Sequence, residues 1–177
     1  LESRLAAYGS SGSGSDGASP MDRYNAILSL AREEWENILL NAVFTEPDDQ
    51  TPWWYHRFIV SWAKPTDDLG SDDFGNELVD EYESLLFEMA DSLRELLEVE
   101  KENDMSGNAE TKDESKGAKC KWAYIGLHLV LSTLSDPDLT DEQEAVELRK
   151  EAEECLAELI KIDPNRRERY QNFLPRG

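Results

Sequence analysis

The stretch TEPDDQTPWWYHRFIV, residues 45–60, decides the fold of this chain. Its first half, TEPDD, ends one helix, because Pro47 cannot continue it and acidic residues suit the start of the next. Pro52 fits a first-turn position of that next helix. Five consecutive positions, 53–57, then hold two Trp, a Tyr, a His and an Arg. The stretch therefore predicts a helix, a tight acidic turn and an aromatic-rich return helix.

Outward from this turn, apolar residues recur at spacings of three and four, which is typical of amphipathic helices. Long alternating runs rich in Val, Ile and Thr are absent. Thr140 and Gln143 resemble a capping box at the start of one of these helices. The pattern predicts an all-α chain with helices at about 21–45, 52–63, 77–101, 120–134, 140–162 and 164–174.

An acidic residue followed by proline occurs twice between helices, at Glu46-Pro47 and at Asp163-Pro164. Six residues after each proline stands a large aromatic, Trp53 in the first case and Tyr170 in the second. A long helix precedes each turn and a shorter, more apolar segment follows it. This recurrence predicts an internal repeat of antiparallel helix pairs.

A third return helix begins at Trp122-Ala-Tyr124, and we align it with Trp53-Trp-Tyr55. A single helix pair cannot bury its own apolar face, so neighbouring pairs must stack. The expected architecture is therefore an α-α superhelix, or solenoid, formed by residues 21–174.

The remaining segments are predicted from composition. Residues 1–8 (LESRLAAY) are typical of the end of a preceding repeat helix. Residues 9–20 form a Gly/Ser-rich flexible linker, either a natural insertion or an engineered one. Residues at about 102–119 are polar and predict a disordered insertion within the repeats.

The net charge of −21 disfavours nucleic acid as a partner, because a phosphate backbone would be repelled. A basic partner fits the charge, and so does simple solubility. The longest apolar stretch, 122–134, is too short to span a bilayer. Cys120 and Cys155 show no metal-type spacing and are expected to be reduced, buried thiols, although a disulfide between them stays open. These features indicate a cytoplasmic protein.

The cluster at 53–57 has a packing interpretation and a functional one. At helical spacing, Trp54 aligns with Phe58 and Trp62, and Trp53 with His56, Arg57 and Val60, so the helix is expected to be sandwiched between neighbours. A half-buried Arg57 would pair with a carboxylate or, in the functional interpretation, bind a diphosphate. His56 is a candidate general base without a catalytic partner at a recognisable spacing.

Other chemical motifs are not found. The acidic stretch at 67–73 has the wrong spacing for a magnesium motif and is interpreted as a solvated turn. His128 is expected to be a hydrogen-bonded core residue. No zinc spacing, P-loop, Rossmann fingerprint or nucleophile elbow occurs. We therefore assign no catalytic and no metal-binding residue.

The stretch 41–60, with its Phe-Thr-Glu-Pro-Asp-Asp-Gln turn and Trp-Trp-Tyr-His-Arg helix, resembles the repeat of protein prenyltransferase α subunits. It is most similar to the Rab geranylgeranyltransferase (type II) class. The stretches at 120–131 and 160–174 are similar to a further inner helix and the terminal helix of that family. The resemblance covers nearly all of the predicted helices.

The resemblance implies a crescent of helix pairs that holds a β subunit, on which zinc and most of the isoprenoid pocket lie. Rab GTPases and a Rab escort protein are the further partners it implies. The family's Lys near the diphosphate corresponds here to Asp48, and its Asn-Tyr pair to Asp49-Gln50. The repeat therefore departs from the catalytic pattern, and a scaffolding and interface role is expected. The repeat-motif residues expected to pack or to form the interface are Trp53, Trp54, Tyr55, His56, Arg57, Trp122, Tyr124, Asp163, Pro164 and Tyr170.

Two alternatives stay open. One is a non-enzymatic adaptor built from the same helical repeats. The other is the α subunit of a farnesyl or type I geranylgeranyl transferase. In each case these residues are expected to pack the repeats or to contact another protein.

Overall fold

A computed structural model describes residues 20–65, 73–106 and 121–173, and every regular element in these ranges is helical. A single π turn, Trp35–Leu39, joins the first two helices. A 3-10 turn, Pro164–Arg166, precedes the last. The helices are α1 Pro20–Glu34, α2 Leu40–Thr45, α3 Gln50–Trp62, α4 Asp73–Ser106, α5 Lys121–Leu134, α6 Glu142–Ile162 and α7 Arg167–Gln171.

The prediction of an all-α chain is confirmed for these ranges. Several predicted features lie outside them: residues 1–8, most of the linker at 9–20, the acidic stretch up to Asp72, residues 107–119, Cys120 and Leu174. Helix α4 is longer than predicted, since it continues through residues 102–106, which the polar composition assigns to the insertion.

The π turn lies where the buried positions of the first helix become spaced by four. Trp35, Leu39 and Val43 are all buried. In a regular α-helix, side chains four apart drift by about 40° per step. A π turn, with its wider i→i+5 hydrogen bonds, removes part of this drift. The three side chains thereby stay on the face that meets α3.

Consecutive long helices form antiparallel pairs. In the first pair the Tyr24 hydroxyl, near the start of α1, donates to the carbonyl of Ala63 at the end of α3. In the pair α5/α6, His128 Nδ1 lies 3.2 Å from the carbonyl oxygen of Ala152. At the other end of that pair, an Arg149 nitrogen lies 3.5 Å from the carbonyl oxygen of Ser135.

Contacts between pairs divide the helices into two layers. In the first layer, Arg32 of α1 pairs with Glu88 of α4. Arg94 of α4 in turn donates from Nε and a terminal nitrogen to both carboxylate oxygens of Glu151 on α6, at 2.8 and 2.7 Å. We call α1, α4 and α6 the outer layer.

The return helices form the second layer, which we call the inner layer. Trp53 of α3 lies against Gly126 of α5, and Lys64, just after α3, donates to Asp136, just after α5, at 3.2 Å. Helix α7 follows on the other side, where the ring of Phe173, just after α7, lies 6.2 Å from that of His128. The apolar core fills the space between the two layers. It includes Tyr82, whose hydroxyl donates to the carbonyl of Val60 at 2.7 Å.

The start of α6 differs from the predicted capping box. Asp141, not Thr140, is the N-cap, and its carboxylate accepts from the backbone N–H groups of Gln143 and Glu144 at 2.9 and 3.1 Å. Thr140 is buried and donates its hydroxyl hydrogen to the carbonyl of Leu134 at 2.6 Å. An ionised carboxylate is the stronger acceptor, and it also complements the positive end of the helix dipole.

Candidate functional site

The two acidic-proline turns have the same backbone conformation. Glu46 has φ −135° and ψ 68°, and Asp163 has φ −131° and ψ 68°. Each N–H still donates to the carbonyl four residues earlier, Ala42 at 3.0 Å and Leu159 at 2.9 Å. This extended backbone is compatible with the proline that follows, which disfavours the α region before it. The predicted recurrence of the turn is therefore present in the structure.

Each turn is tied to the aromatic six residues after its proline. The indole N–H of Trp53 donates to the Pro47 carbonyl at 3.0 Å. The Tyr170 hydroxyl donates to Asp163 Oδ2 at 3.1 Å, and Lys121 and Arg166 also lie 3.7 Å from that oxygen. Burial, followed by the hydrogen bond to Asp163, raises the pKa of Tyr170. Pro164 itself is exposed and starts the 3-10 turn.

His56 lies in the core and does not reach solvent. It is 0% exposed, its ring centroid lies 5.3 Å from that of Trp35 and 6.1 Å from that of Trp53, and neither ring nitrogen has a hydrogen-bond partner among the described residues. Burial lowers the pKa of His56 to about 4. A neutral, enclosed imidazole cannot exchange a proton with a substrate, so the structure assigns His56 to packing rather than to base catalysis.

Gly126 allows the close crossing of α3 and α5 at this point. A Cβ atom added there would lie 2.7 Å from Cζ3 of Trp53 and 3.6 Å from Cε1 of His56. Glycine is unfavourable in a helix interior, and here its missing side chain makes room for the indole. Gly126 and Trp35 complete the cluster around His56, and neither was among the predicted site residues. A glycine inside an apolar helix was the signal that pointed to the first of them.

Three aromatic side chains of α3 form a stacked row along the helix. The ring of Tyr55 lies 6.1 Å from that of Phe58, which lies 5.9 Å from that of Trp62, and the planes are nearly parallel. Phe58 is 45% exposed and the other two are half-buried. The Tyr55 hydroxyl donates to the buried carboxylate of Glu34 at 2.9 Å. We call Tyr55, Phe58 and Trp62 the aromatic stripe.

Trp54 and Arg57 differ from the sandwiched helix expected from the sequence. Trp54 is 59% exposed, and Arg57 is exposed rather than half-buried. The salt bridges of the described residues do not include Arg57. Within the described chain these two side chains therefore do not pack in the core.

The alignment of α5 with α3 also needs a correction of one residue. Trp53 is 5% exposed, whereas Trp122 is half-exposed and lies under the ammonium of Lys121, 5.0 Å from its ring centroid. Burial matches better when Trp122 is placed with Trp54, and the buried Tyr124 then takes the place of His56. Adjacent tryptophans at 53 and 54 made this one-residue ambiguity unavoidable from the sequence.

With this alignment, His56 and Ile59 are buried as their counterparts Tyr124 and Leu127 are, but the aromatic stripe is more exposed than its counterparts. Its counterparts on α5, Ala123, Gly126 and Val130, are fully buried. Gly126 belongs to the face of α5 that meets α3. The same face of α3 carries the aromatic stripe, whose Tyr55 and Trp62 pack against the edge of the core while Phe58 stays exposed.

The remaining candidates have structural roles. His128 is half-buried near the Ala152 carbonyl, and burial lowers its pKa. Cys155 is a free, buried thiol whose pKa burial raises to about 12, so it is a poor nucleophile. In the described ranges no group of three or more His, Cys, Asp or Glu side chains is placed to hold a metal ion. No described helix is both long and apolar enough to cross a membrane.

The arrangement thus leaves part of α3 exposed on the surface of the described chain. Its exposed members are two aromatic side chains, Trp54 and Phe58, and one cation, Arg57. Comparison with known proteins gives no match: no protein-family model, no curated protein and no solved structure is significantly similar to this chain.

Proposed function

We propose that this chain is a scaffolding segment of a protein prenyltransferase α subunit, of the Rab geranylgeranyltransferase type. In this proposal its helix pairs hold a catalytic β subunit, which carries the zinc and the isoprenoid pocket, in the cytoplasm. A Rab escort protein and its bound Rab GTPase are further partners of the complex. The segment itself contributes binding and not catalysis.

The observation that carries the proposal is the shared conformation of the two acidic-proline turns, each tied to an aromatic residue of its return helix. The resemblance rests on this unit, and its recurrence supports a stacked repeat array. The two layers of helices are also what a superhelix of such pairs requires.

The contact surface proposed for the β subunit is the open side of the inner layer. On α3 it consists of Trp54 and Arg57, and on α5 of the half-exposed Trp122, Ile125 and Leu129. Helices α3 and α5 carry no carboxylate, in a chain with 39 acidic residues. Aromatic residues and Arg are enriched at the centres of protein interfaces, and charged residues other than Arg are depleted there.

Co-expression of the chain, or of the longer protein that contains it, with a prenyltransferase β subunit tests the proposal. We expect the two to co-purify, and the complex of the longer protein to transfer a geranylgeranyl group to an escort-bound Rab. The double variant Trp54→Ala/Arg57→Ala should weaken association by about tenfold or more, since both side chains have the properties of interface anchors. Its effect on turnover at saturating β subunit should be small.

Val146→Ala is the matched control, because Val146 is 51% exposed but lies on α6 in the outer layer. This variant should bind as the wild type does. If no β subunit associates with the wild-type protein, the enzyme proposal fails and the repeat-adaptor alternative takes its place. If association survives the double variant unchanged, the proposed surface is wrong even though the complex exists.

A further inference from the structure

The region around α7 is positively charged, in contrast to the rest of the chain. Residues 161–173 contain four basic and two acidic residues, whereas the whole chain has 18 basic and 39 acidic residues. The basic residues are Lys161, Arg166, Arg167 and Arg169, and all of them are exposed. Helix α5, which lies beside α7, carries no carboxylate. A strongly acidic protein therefore has a basic region at the α7 end of its inner layer.

Two cations in this region share one carboxylate. Lys121 Nζ and a terminal nitrogen of Arg166 each lie 3.7 Å from Oδ2 of Asp163. The Asp163 side chain is 15% exposed, whereas that of Arg166 is 50% exposed. A molecule that approaches from solvent therefore meets the guanidinium before it meets the carboxylate, and the two cations exceed the carboxylate by one charge.

A further cation and an exposed ring continue this surface along α7. Arg169 and Phe173 follow Arg166 at spacings of three and four residues, which places the three on one side of a helical backbone. The backbone still turns at Phe173, whose N–H donates to the carbonyl of Tyr170 at 3.1 Å. Phe173 is 62% exposed, and the salt bridges among the described residues do not include Arg169. We call Lys121, Arg166, Arg169 and Phe173 the basic edge.

We propose that the basic edge binds an acidic segment of another protein, in which carboxylates flank an apolar side chain. The carboxylates pair with Arg166 and Arg169, and the apolar side chain packs on Phe173. The inference rests on the charge and exposure of these residues and does not depend on a prenyltransferase partner. The surface proposed above for the β subunit consists of other residues.

Charge complementarity is the first argument for this occupant. At physiological ionic strength the Debye length is about 8 Å, so a segment that lies on the basic edge interacts with its cations while the carboxylates of the outer layer are largely screened. The guanidinium of Arg pairs with a carboxylate through two parallel hydrogen bonds. Arg and aromatic side chains are also the residues that contribute most to protein interfaces, and the basic edge places them side by side.

The small size of the basic edge disfavours an extended anionic partner. A bilayer or a nucleic-acid duplex carries negative charge over a large area, which would also face the carboxylates elsewhere on this chain. A membrane attracts each nearby cation by about 1 kcal/mol, and Asp163 offsets one of the three cations here. A second copy of the chain would bring two bodies of net charge −21 together. A single acidic segment can reach the basic edge without this repulsion.

Fluorescence anisotropy with the whole chain and a labelled peptide of alternating Glu-Glu and Phe-Leu pairs tests the inference. A peptide with Gln in place of every Glu is the control. At about 0.15 M sodium chloride we expect saturable binding of the Glu peptide and binding of the Gln peptide that is about tenfold weaker or undetectable. Binding of the Glu peptide should weaken as the salt is raised to about 0.5 M, because the attraction is screened.

Two variants with the same change in net charge locate the site. Arg169→Glu should weaken binding of the Glu peptide about tenfold or more, because it replaces an ion pair by repulsion. Lys150→Glu, at an exposed position of α6 in the outer layer, should change binding by less than about twofold, since its charge is screened at this distance. Circular dichroism checks that both variants fold.

Phe173→Ala tests the apolar contact and should weaken binding of the Glu peptide about threefold or more, because an exposed ring that packs on a partner is lost. No binding of the Glu peptide, equal binding of the Gln peptide, or equal losses in Arg169→Glu and Lys150→Glu would each overturn the inference. So would binding to phosphatidylserine vesicles or duplex DNA in place of the peptide, or self-association of the chain that Arg169→Glu abolishes.

Discussion

At the residue scale, the most unusual group is the imidazole of His56, which is buried without a hydrogen-bond partner among the described residues. A buried polar group without a partner is destabilising, but a neutral ring between aromatic side chains is tolerated far better than a charged one. The position therefore makes the stability of the fold depend on the protonation state of one residue.

We predict that His56 destabilises the fold as the pH falls from about 6.5 to 4. The folded pKa is about 4 and the unfolded value about 6.5, so in this window the unfolded chain binds a proton that the folded chain excludes. Fully developed, this effect lowers the free energy of unfolding by about 3 kcal/mol. It is absent above pH 7, where His56 is neutral in both the folded and the unfolded chain. Urea unfolding of wild type and His56→Leu between pH 4.5 and 8 measures it as the difference between the two proteins.

Other groups also titrate in this pH range, but they contribute equally to both proteins. Their effects therefore cancel in the difference between wild type and His56→Leu. The control is His128→Gln, which removes a half-buried imidazole that lies near the Ala152 carbonyl. Its pH-dependent effect should be the smaller of the two, since this ring is only partly enclosed. A difference between wild type and His56→Leu that is the same at pH 4.5 and pH 8 would contradict the assignment.

Gly126 provides the second prediction at this scale. Gly126→Ala should destabilise the fold, although alanine is favoured over glycine in a helix by about 1 kcal/mol. The new Cβ would lie 2.7 Å from the buried Trp53 ring, and overpacking of this kind costs roughly 1–3 kcal/mol. Chemical denaturation measures the change. Ser132→Ala, at an exposed position of the same helix, should be neutral or slightly stabilising, and an equal gain in both variants would disprove the close crossing.

At the element scale, the helix–turn–helix unit depends on hydrogen bonds that run from the return helix back to its turn. Trp53→Phe removes the indole N–H that serves the Pro47 carbonyl, together with part of the ring that fills the space at Gly126. A lost hydrogen bond of this kind costs about 0.5–1.5 kcal/mol, and the lost ring volume adds to it. We expect a larger loss than for Tyr170→Phe, since Asp163 keeps Lys121 and Arg166 nearby.

The adjacent tryptophan supplies the control for this comparison. Trp54→Phe makes a similar change on the exposed side of the same helix and should alter the unfolding free energy by less than about 0.5 kcal/mol. Thermal and urea unfolding of the three variants rank them directly. Equal effects at positions 53 and 54 would mean that the bond to the turn contributes nothing to stability.

The sequence predicted the existence of the helices well, because Pro47 and Pro164 mark turns and the apolar spacing is regular. It predicted the orientation of side chains less well. Trp54, Phe58 and Arg57 were expected to be at least half-buried, yet they are exposed. The apolar spacing alone does not determine which of two apolar helix faces packs against a neighbouring helix. The cap at Asp141, the π turn and the pocket around His56 depend on contacts between helices far apart in sequence. Local patterns could not supply these contacts.

At the scale of the whole molecule, negative charge is distributed over both long outer helices, and the salt bridges found among the described residues involve only a minority of their carboxylates. Arg94, which bridges Asp91 and Glu151, and Arg32, which bridges Glu81 and Glu88, hold the outer layer together where carboxylates would otherwise repel one another. The excess of 39 acidic over 18 basic residues leaves a net charge of −21. Repulsion in the folded state is therefore greater than these few bridges can offset.

We predict from this balance that sodium chloride stabilises the protein. Salt shortens the Debye length from about 30 Å at 0.01 M to about 3 Å at 1 M, so it screens the long-range repulsion between carboxylates. It also weakens the exposed salt bridges, but each of these contributes only about 0–1 kcal/mol. Thermal unfolding between 0.01 and 0.5 M salt should show a rising Tm, by about 2–4 °C for each ~1 kcal/mol gained. Potassium chloride should give the same rise at equal ionic strength, since the effect is one of screening. A Tm that falls with salt would mean that the pairs made by Arg32 and Arg94 outweigh the repulsion.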